Sequence, residues 1–141
     1  MNNLNIQSPR TDDAALEAEI AEKARAPRVA LADVEASILS EHYFTALQGA
    51  RMAALDYMAA GNWEVVGPDG PQPHRPELGL LTFCVLVLKN GFTVTGVSAC
   101  ASPENFDAEI GCKVARTNAV NNIWPLLGFR LRDELQRSAA V

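Results

Sequence analysis

Two β-rich runs flank an Asn-Gly pair: LLTFCVLVL over residues 80–88 and FTVTGVSACA over residues 92–101. Asn-Gly between such runs is a strong hairpin signal, because both residues reach positive φ at low cost. The spacing predicts a hairpin with Asn90-Gly91 as a type I′ turn and Lys89 paired with Phe92. Leu88 then faces Thr93, Val87 faces Val94 and Phe83 faces Ser98. In that register one face carries Leu81, Phe83, Val85, Val87, Phe92, Val94 and Cys100, and it reads as core. The other carries Thr82, Cys84, Leu86, Leu88, Thr93, Thr95, Val97 and Ala99. It is half apolar, so the N-terminal helices or another subunit are expected to cover it. Cys84 and Cys100 fall on opposite faces and are expected not to bridge.

A two-stranded sheet is marginal alone. A third strand is therefore expected from 41–46 or 63–66, or else strand pairing across a homodimer. After the hairpin, SPENFDAEIGCKVARTNAVNNIW reads as one long helix from Pro103 to about Trp124, with Ser102 as N-cap and proline at the first position. Phe106, Ile110, Val114, Thr117, Val120 and Trp124 form a stripe at helical spacing that is expected to cover the hairpin. A second stripe of Ala108, Cys112, Ala115, Ala119 and Ile123 is small enough to let another element approach closely. Pro125 is read as a break, followed by a short helix from Leu126 to Leu135.

Upstream, residues 1–10 read as a loose arm. A helix with a thin apolar face, opened by Thr11-Asp12-Asp13 and ended by Pro27, follows. LADVEASIL reads as a second helix, and Leu47 to Gly61 as a third. His42-Tyr43-Phe44 fits either helix or strand. Residues 61–79 hold four of the eight prolines and four of the nine glycines and read as a loop, with a brief strand at Trp63–Val66 as an option. The fold class is α+β: N-terminal helices, a central antiparallel hairpin and a long C-terminal helix packed against it, in a single domain over 11–141.

At 141 residues with 48% hydrophobic and 21% charged residues, the chain can bury a real core. The net charge of −5 argues against a non-specific nucleic-acid binder. Three cysteines without a C-x-x-C pair suggest reduced thiols inside a cell. The opening MNNLNIQSPRTDD lacks the apolar core of a signal peptide, and no run is long enough to span a bilayer.

Chemistry is sparse. His42, between Glu41 and Tyr43, has the residue types of a general base or ligand, weighed against a half-buried polar residue beside a helix. His74 sits in a proline loop. Two histidines far apart give no metal spacing, and neither a metal nor a cofactor is expected. Cys84, Cys100 and Cys112 read as small hydrophobes rather than nucleophiles. Gly96, within a strand, points to a bulge or close packing. Two groups remain as candidate sites. Trp63, Arg75, His42 and Tyr43 have the residue types of a partner surface. Arg116, Asn118, Asn121 and Asn122, with Asp107, form a polar flank that could read a small ligand, weighed against a solvated helix face.

The segment from Leu80 to Leu131, with its order LLTFCVLVLKNGFTVTGVSAC, ENFDAEIG and AxxNAxxxIWPLxGFRL, resembles a small family of tailed-phage and prophage proteins named after a "gp forty-nine" and a "gene sixty-six" product. The resemblance implies a phage origin and a small accessory gene, and it implies no active site. Family members often carry an acidic residue where this chain has Val97, so a role tied to that acid is not implied here. With the acidic charge and the absent catalytic set, the expectation is a non-enzymatic accessory protein in the host cytoplasm that binds a host protein, such as a defence component. The alternatives are a protein that sequesters a nucleotide-like signal, with its polar pocket at a subunit interface, and a minor virion component.

Overall fold

The computed structural model describes residues 13–60, 69 and 72–140. The arm at 1–10, the Trp63–Val66 option and the Gly61 helix stop lie outside them. The elements run α1 (Asp13–Lys23), α2 (Leu31–Ala36), β1 (Ile38–Thr45), α3 (Ala46–Ala60), β2 (Leu81–Leu88), β3 (Thr93–Ala99), α4 (Ala108–Asn121) and α5 (Trp124–Ala139), with 3-10 turns at Pro76–Leu80 and Pro103–Asn105. The strands form one antiparallel sheet in the order β1-β2-β3. The chain is thus α+β, and the third strand comes from the 41–46 option, begun three residues earlier. Ile38, assigned to the second helix by its spacing, pairs instead with Leu88.

The hairpin register differs from the expected one by a single residue. Val87 lies opposite Thr93, Leu86 opposite Val94, and Phe83 opposite Val97. The cause is the turn. Gly91 donates its N–H to the Leu88 carbonyl (2.8 Å), and Leu88 donates its own to Phe92 (2.8 Å). Only Gly91 has positive φ (+90°) among the described residues, whereas a type I′ turn needs it at both central positions. The loop is therefore three residues long, Lys89-Asn90-Gly91, with the left-handed residue last. Asn90 helps by accepting the Phe92 N–H on its Oδ1 (2.9 Å).

That one-residue slip exchanges the faces of β3 relative to β2. The helix-covered face holds Thr82, Cys84, Leu86 and Leu88 from β2 with Val94 and Gly96 from β3, all buried. This is the face expected to be the half-covered one. The face expected to be core, with Phe83, Val85 and Val87, is only partly covered, and Phe92 is 56% exposed. Cys84 and Cys100 are both free thiols. Opposite faces are not what separates them: Cys84 lies beside Gly96, four residues before Cys100 along β3.

Helix α4 corrects the expected helix in the same sense. It begins at Ala108, not Pro103, because Asp107 is its N-cap and accepts the Ile110 N–H (3.0 Å). Ser102 caps only the 3-10 turn, without a side-chain bond. Of the second stripe Ala115, Ala119 and Ile123 are buried, and Gly111 joins them against the sheet, whereas Ile110 of the first stripe is 58% exposed and only its Val120 is buried. Gly96 shows why. A Cβ there would sit 2.1 Å from the Ala115 carbonyl oxygen and 2.2 Å from the Ala119 nitrogen. Backbone rests on backbone, so the large stripe could not fit there. Pro125 does not follow a helix end by breaking it; it starts α5 from within the first turn, where its missing N–H costs nothing. The core is Leu86, Cys84, Val34, Ala115, Ala119 and Ile123, each fully buried, with Leu88, Val94, Val120 and Leu127 around them. Each large member contributes on the order of 2 kcal/mol by burial.

Candidate functional site

The main polar assembly joins α4, which packs on β3 and β2, to β1 and α2. Arg116, 32% exposed at its side chain, reaches two carboxylates. Its Nε donates to Glu41 at 3.0 and 3.1 Å, and its Nη2 to Glu41 at 2.9 Å. Nη1 and Nη2 donate to Glu35 at 3.3 and 2.9 Å. Tyr43 donates its hydroxyl to Glu41 Oε1 at 2.7 Å. Three elements meet here: α2 supplies Glu35 from its last turn, β1 supplies Glu41 and Tyr43, and α4 supplies Arg116. Strand parity makes this possible, since Glu41 lies opposite Leu86 and Tyr43 opposite Cys84, both on the helix-covered face.

The electrostatics follow from the contacts. Arg116 and then Tyr43 hold the Glu41 carboxyl below its ordinary range through hydrogen bonds. The two carboxylates raise the Arg116 guanidinium further. Burial, then the bond donated to Glu41, pushes the Tyr43 phenol well above its usual value. Burial raises the Cys84 thiol as well. At neutral pH these groups are a bound carboxylate, a bound cation, a neutral phenol and a neutral thiol. The arrangement ties three elements together, with every guanidinium nitrogen engaged.

On the opposite side of α4, two asparagines do a different job. Asn122 Nδ2 donates to the Thr95 carbonyl and Asn118 Nδ2 to the Val97 carbonyl, each at 2.7 Å. In β3 the even-numbered residues bond to β2, so Thr95 and Val97 point their carbonyls at the outer edge. The asparagines occupy that edge. Asn118 Oδ1 is buried with no hydrogen-bond partner.

The sequence-derived groups are therefore divided differently in space. Arg116 parts from Asn118 and Asn122 and joins Tyr43, with Glu35 and Glu41. Asn121 is exposed at the end of α4. His42, next to Tyr43 in sequence, points to the other face, where its Nε2 pairs with Ser40 Oγ (2.9 Å). Arg75 is exposed and pairs with Glu77 (3.1 and 3.3 Å). Trp63 lies outside the described residues. Glu35 and Glu41 went unremarked as site residues because their partner is 81 and 75 residues away. The T-x-x-Q at Thr45–Gln48 is a helix-start signal that the sequence carries in plain form. Thr45 accepts the Gln48 N–H (3.2 Å) and Gln48 accepts the Thr45 N–H (2.9 Å), a reciprocal cap that opens α3.

Two further surfaces complete the picture. A groove of about 370 Å³ runs between α2 and α5, lined by Arg28, Asp33, Ser37, Leu127, Arg130 and Glu134 among others. Arg28 is held by Glu17 (2.9 Å), and Arg130 lies 4.0 Å from Glu134. The sheet face away from α4 carries Ser40, His42 and Phe44 from β1, Leu81, Phe83, Val85 and Val87 from β2, and Thr93, Thr95, Val97 and Ala99 from β3. None is an acid, a lysine or an arginine. Phe44 stacks on Phe83 at 5.6 Å. Helix α3, which leaves from the Phe44 end, exposes Met52, Leu55 and Met58. Among the described residues no three His, Cys, Asp or Glu side chains gather to hold a metal ion, and no helix is long and apolar enough to cross a membrane.

Comparison with known proteins defines a phage-associated protein. Residues 29–135 match the model of the Phage protein (N4 Gp49/phage Sf6 gene 66) family, and the chain belongs to that family. The match runs from just before α2 into α5, so it takes in β1 and α3 as well as the segment from Leu80 to Leu131. No curated protein and no solved structure matches the chain.

Proposed function

We propose that this phage protein is a non-enzymatic binding module whose target is a host protein. The observation that supports this reading is the charge-free sheet face. In a chain with 17 acidic residues and 12 lysines and arginines, three strands present none of them on that side. Beside it, Met52, Leu55 and Met58 are 57–78% exposed. Broad apolar surfaces of this kind mark interaction sites. Glu35, Glu41, Tyr43 and Arg116, by contrast, are engaged with one another.

The test is capture of partners by tagged protein from infected host cells, with a Val97→Lys variant alongside. Val97 is 38% exposed on the sheet face away from α4, so a lysine side chain there can reach solvent. A stoichiometric host protein held by the natural chain and lost from the variant is the expected result. Equal recovery with both, or recovery of none, would remove the reading. Small molecules released by heat from the same eluate address the second reading, sequestration of a nucleotide-like signal, for which the groove beside Arg28 and Arg130 is a candidate place. A released nucleotide with no protein band would replace the first reading by the second.

A further inference from the structure

The two edges of the sheet differ: side chains close the β3 edge, and part of the β1 edge is open. On β2 the even-numbered residues bond to β3 and the odd-numbered ones to β1. Ser40, His42 and Phe44 therefore bond inward, and Glu41, Tyr43 and Thr45 turn their backbone groups out. The Thr45 N–H is taken by Gln48 (2.9 Å). A register irregularity at Leu39 ends the regular edge on the other side. Between these stops, the N–H and C=O of Glu41 and Tyr43 have no hydrogen-bond partner among the described residues. The strand is exposed over residues 41–44. At the far edge, Asn118 and Asn122 occupy the matching carbonyls of β3.

We infer that β1 pairs antiparallel with β1 of a second copy of this chain, about a twofold axis at His42, to give a continuous six-stranded sheet. The occupant follows from self-complementarity. Two donors and two acceptors, one on each side of His42, match themselves on rotation: Glu41 bonds to the partner copy's Tyr43 and Tyr43 to its Glu41, and all four groups on each strand are satisfied. The side chains agree. Glu41 lies across from a tyrosine rather than from a second Glu41, and its charge is already held by Arg116. On the bare face, Phe44, 39% exposed, lies across from Ser40 of the second copy. A foreign strand would satisfy the same backbone groups, but nothing else in it is fixed by this symmetry. The inference rests on the edge rather than on the host-target reading. A monomer that still captures its host protein would sink this one alone, and a dimer that captures nothing would sink the other alone.

The experiment combines sedimentation with register-specific crosslinking. The 15.2 kDa chain is expected to sediment at twice its mass at concentrations on the order of 0.1 mM, the range of a modest interface. Cysteine replaces His42 in one variant and Ser40 in another, with the natural chain reporting any background from its own thiols. At the twofold, the two position-42 Cα atoms of a non-hydrogen-bonded pair sit about 4.5 Å apart, within disulfide range. The two position-40 atoms are about 13 Å apart. Under mild oxidation His42→Cys is expected to link quantitatively and Ser40→Cys to remain unlinked. A monomer throughout, or a dimer that fails to link at 42, or one that links at 40 instead, overturns the inference.

Discussion

The β3 side and the β1 side of this sheet are built on different terms. At β3 the helix comes so close that only glycine fits beneath it, and asparagine side chains close the strand's outer carbonyls. At β1 the contact is made by long side chains, Arg116 to Glu35 and Glu41, and the strand's backbone remains open. One side is fastened by packing and the other by charge. Packing fixes position to a fraction of an ångström and tolerates little change; an ion network at the surface fixes less and depends on solution conditions.

The largest test of that contrast is Gly96→Ala. The added carbon would strike backbone atoms that cannot rotate away, so a loss of about 3 kcal/mol or more is expected in the denaturant midpoint. Gly128→Ala, in α5 with nothing within 4 Å of its added carbon, is expected to gain about 0.5 kcal/mol. If the two changes cost the same, the close approach of α4 is wrong. Leu86→Ala, on the covered face, is expected to lose about 3 kcal/mol. Val97→Thr on the bare face is expected to stay within about 0.5 kcal/mol, and equality of those two would mean that the faces have been exchanged. Asn122→Ala removes a bond to a strand carbonyl, with an expected loss of about 1 kcal/mol and greater aggregation, read by light scattering.

On the β1 side, Arg116→Met is expected to cost about 1 kcal/mol, less at high salt, because the site is partly solvated. The pH dependence sharpens this. Glu41 titrates below its usual 4.5 when folded, so its contribution is complete above that value and is lost as pH falls through the depressed one. Glu41→Gln is expected to flatten this part of the acid limb and to leave the neutral-pH slope unchanged. An unaltered acid limb would show that the network does not stabilise the fold.

The class of fold was legible in the chain because the hairpin and the helices announce themselves by period. The faces were not. In TFCVLVL both alternating sets are apolar, so β2 has no visible inside, and an Asn-Gly turn serves a two-residue and a three-residue loop alike. The deciding signal was Gly96 set against the small stripe of α4: together they describe one close contact, yet each was read separately. His42-Tyr43-Phe44 stayed ambiguous because an exposed edge strand has no alternation to display. The Arg116 cluster was illegible for a different reason. Its carboxylates are 75 and 81 residues from the cation, and nothing local marks them.

The asparagine closure also has a consequence in time. Thr95 is synthesised 27 residues before the Asn122 that covers its carbonyl. At 5–20 residues per second on a ribosome, the nascent strand waits for roughly one to five seconds before its cover is even made. Until then no side chain of α4 covers the outer carbonyls of β3. The residues that seal the outer edge of β3 come after the strand they seal, so that edge closes only once α4 has been made and has docked.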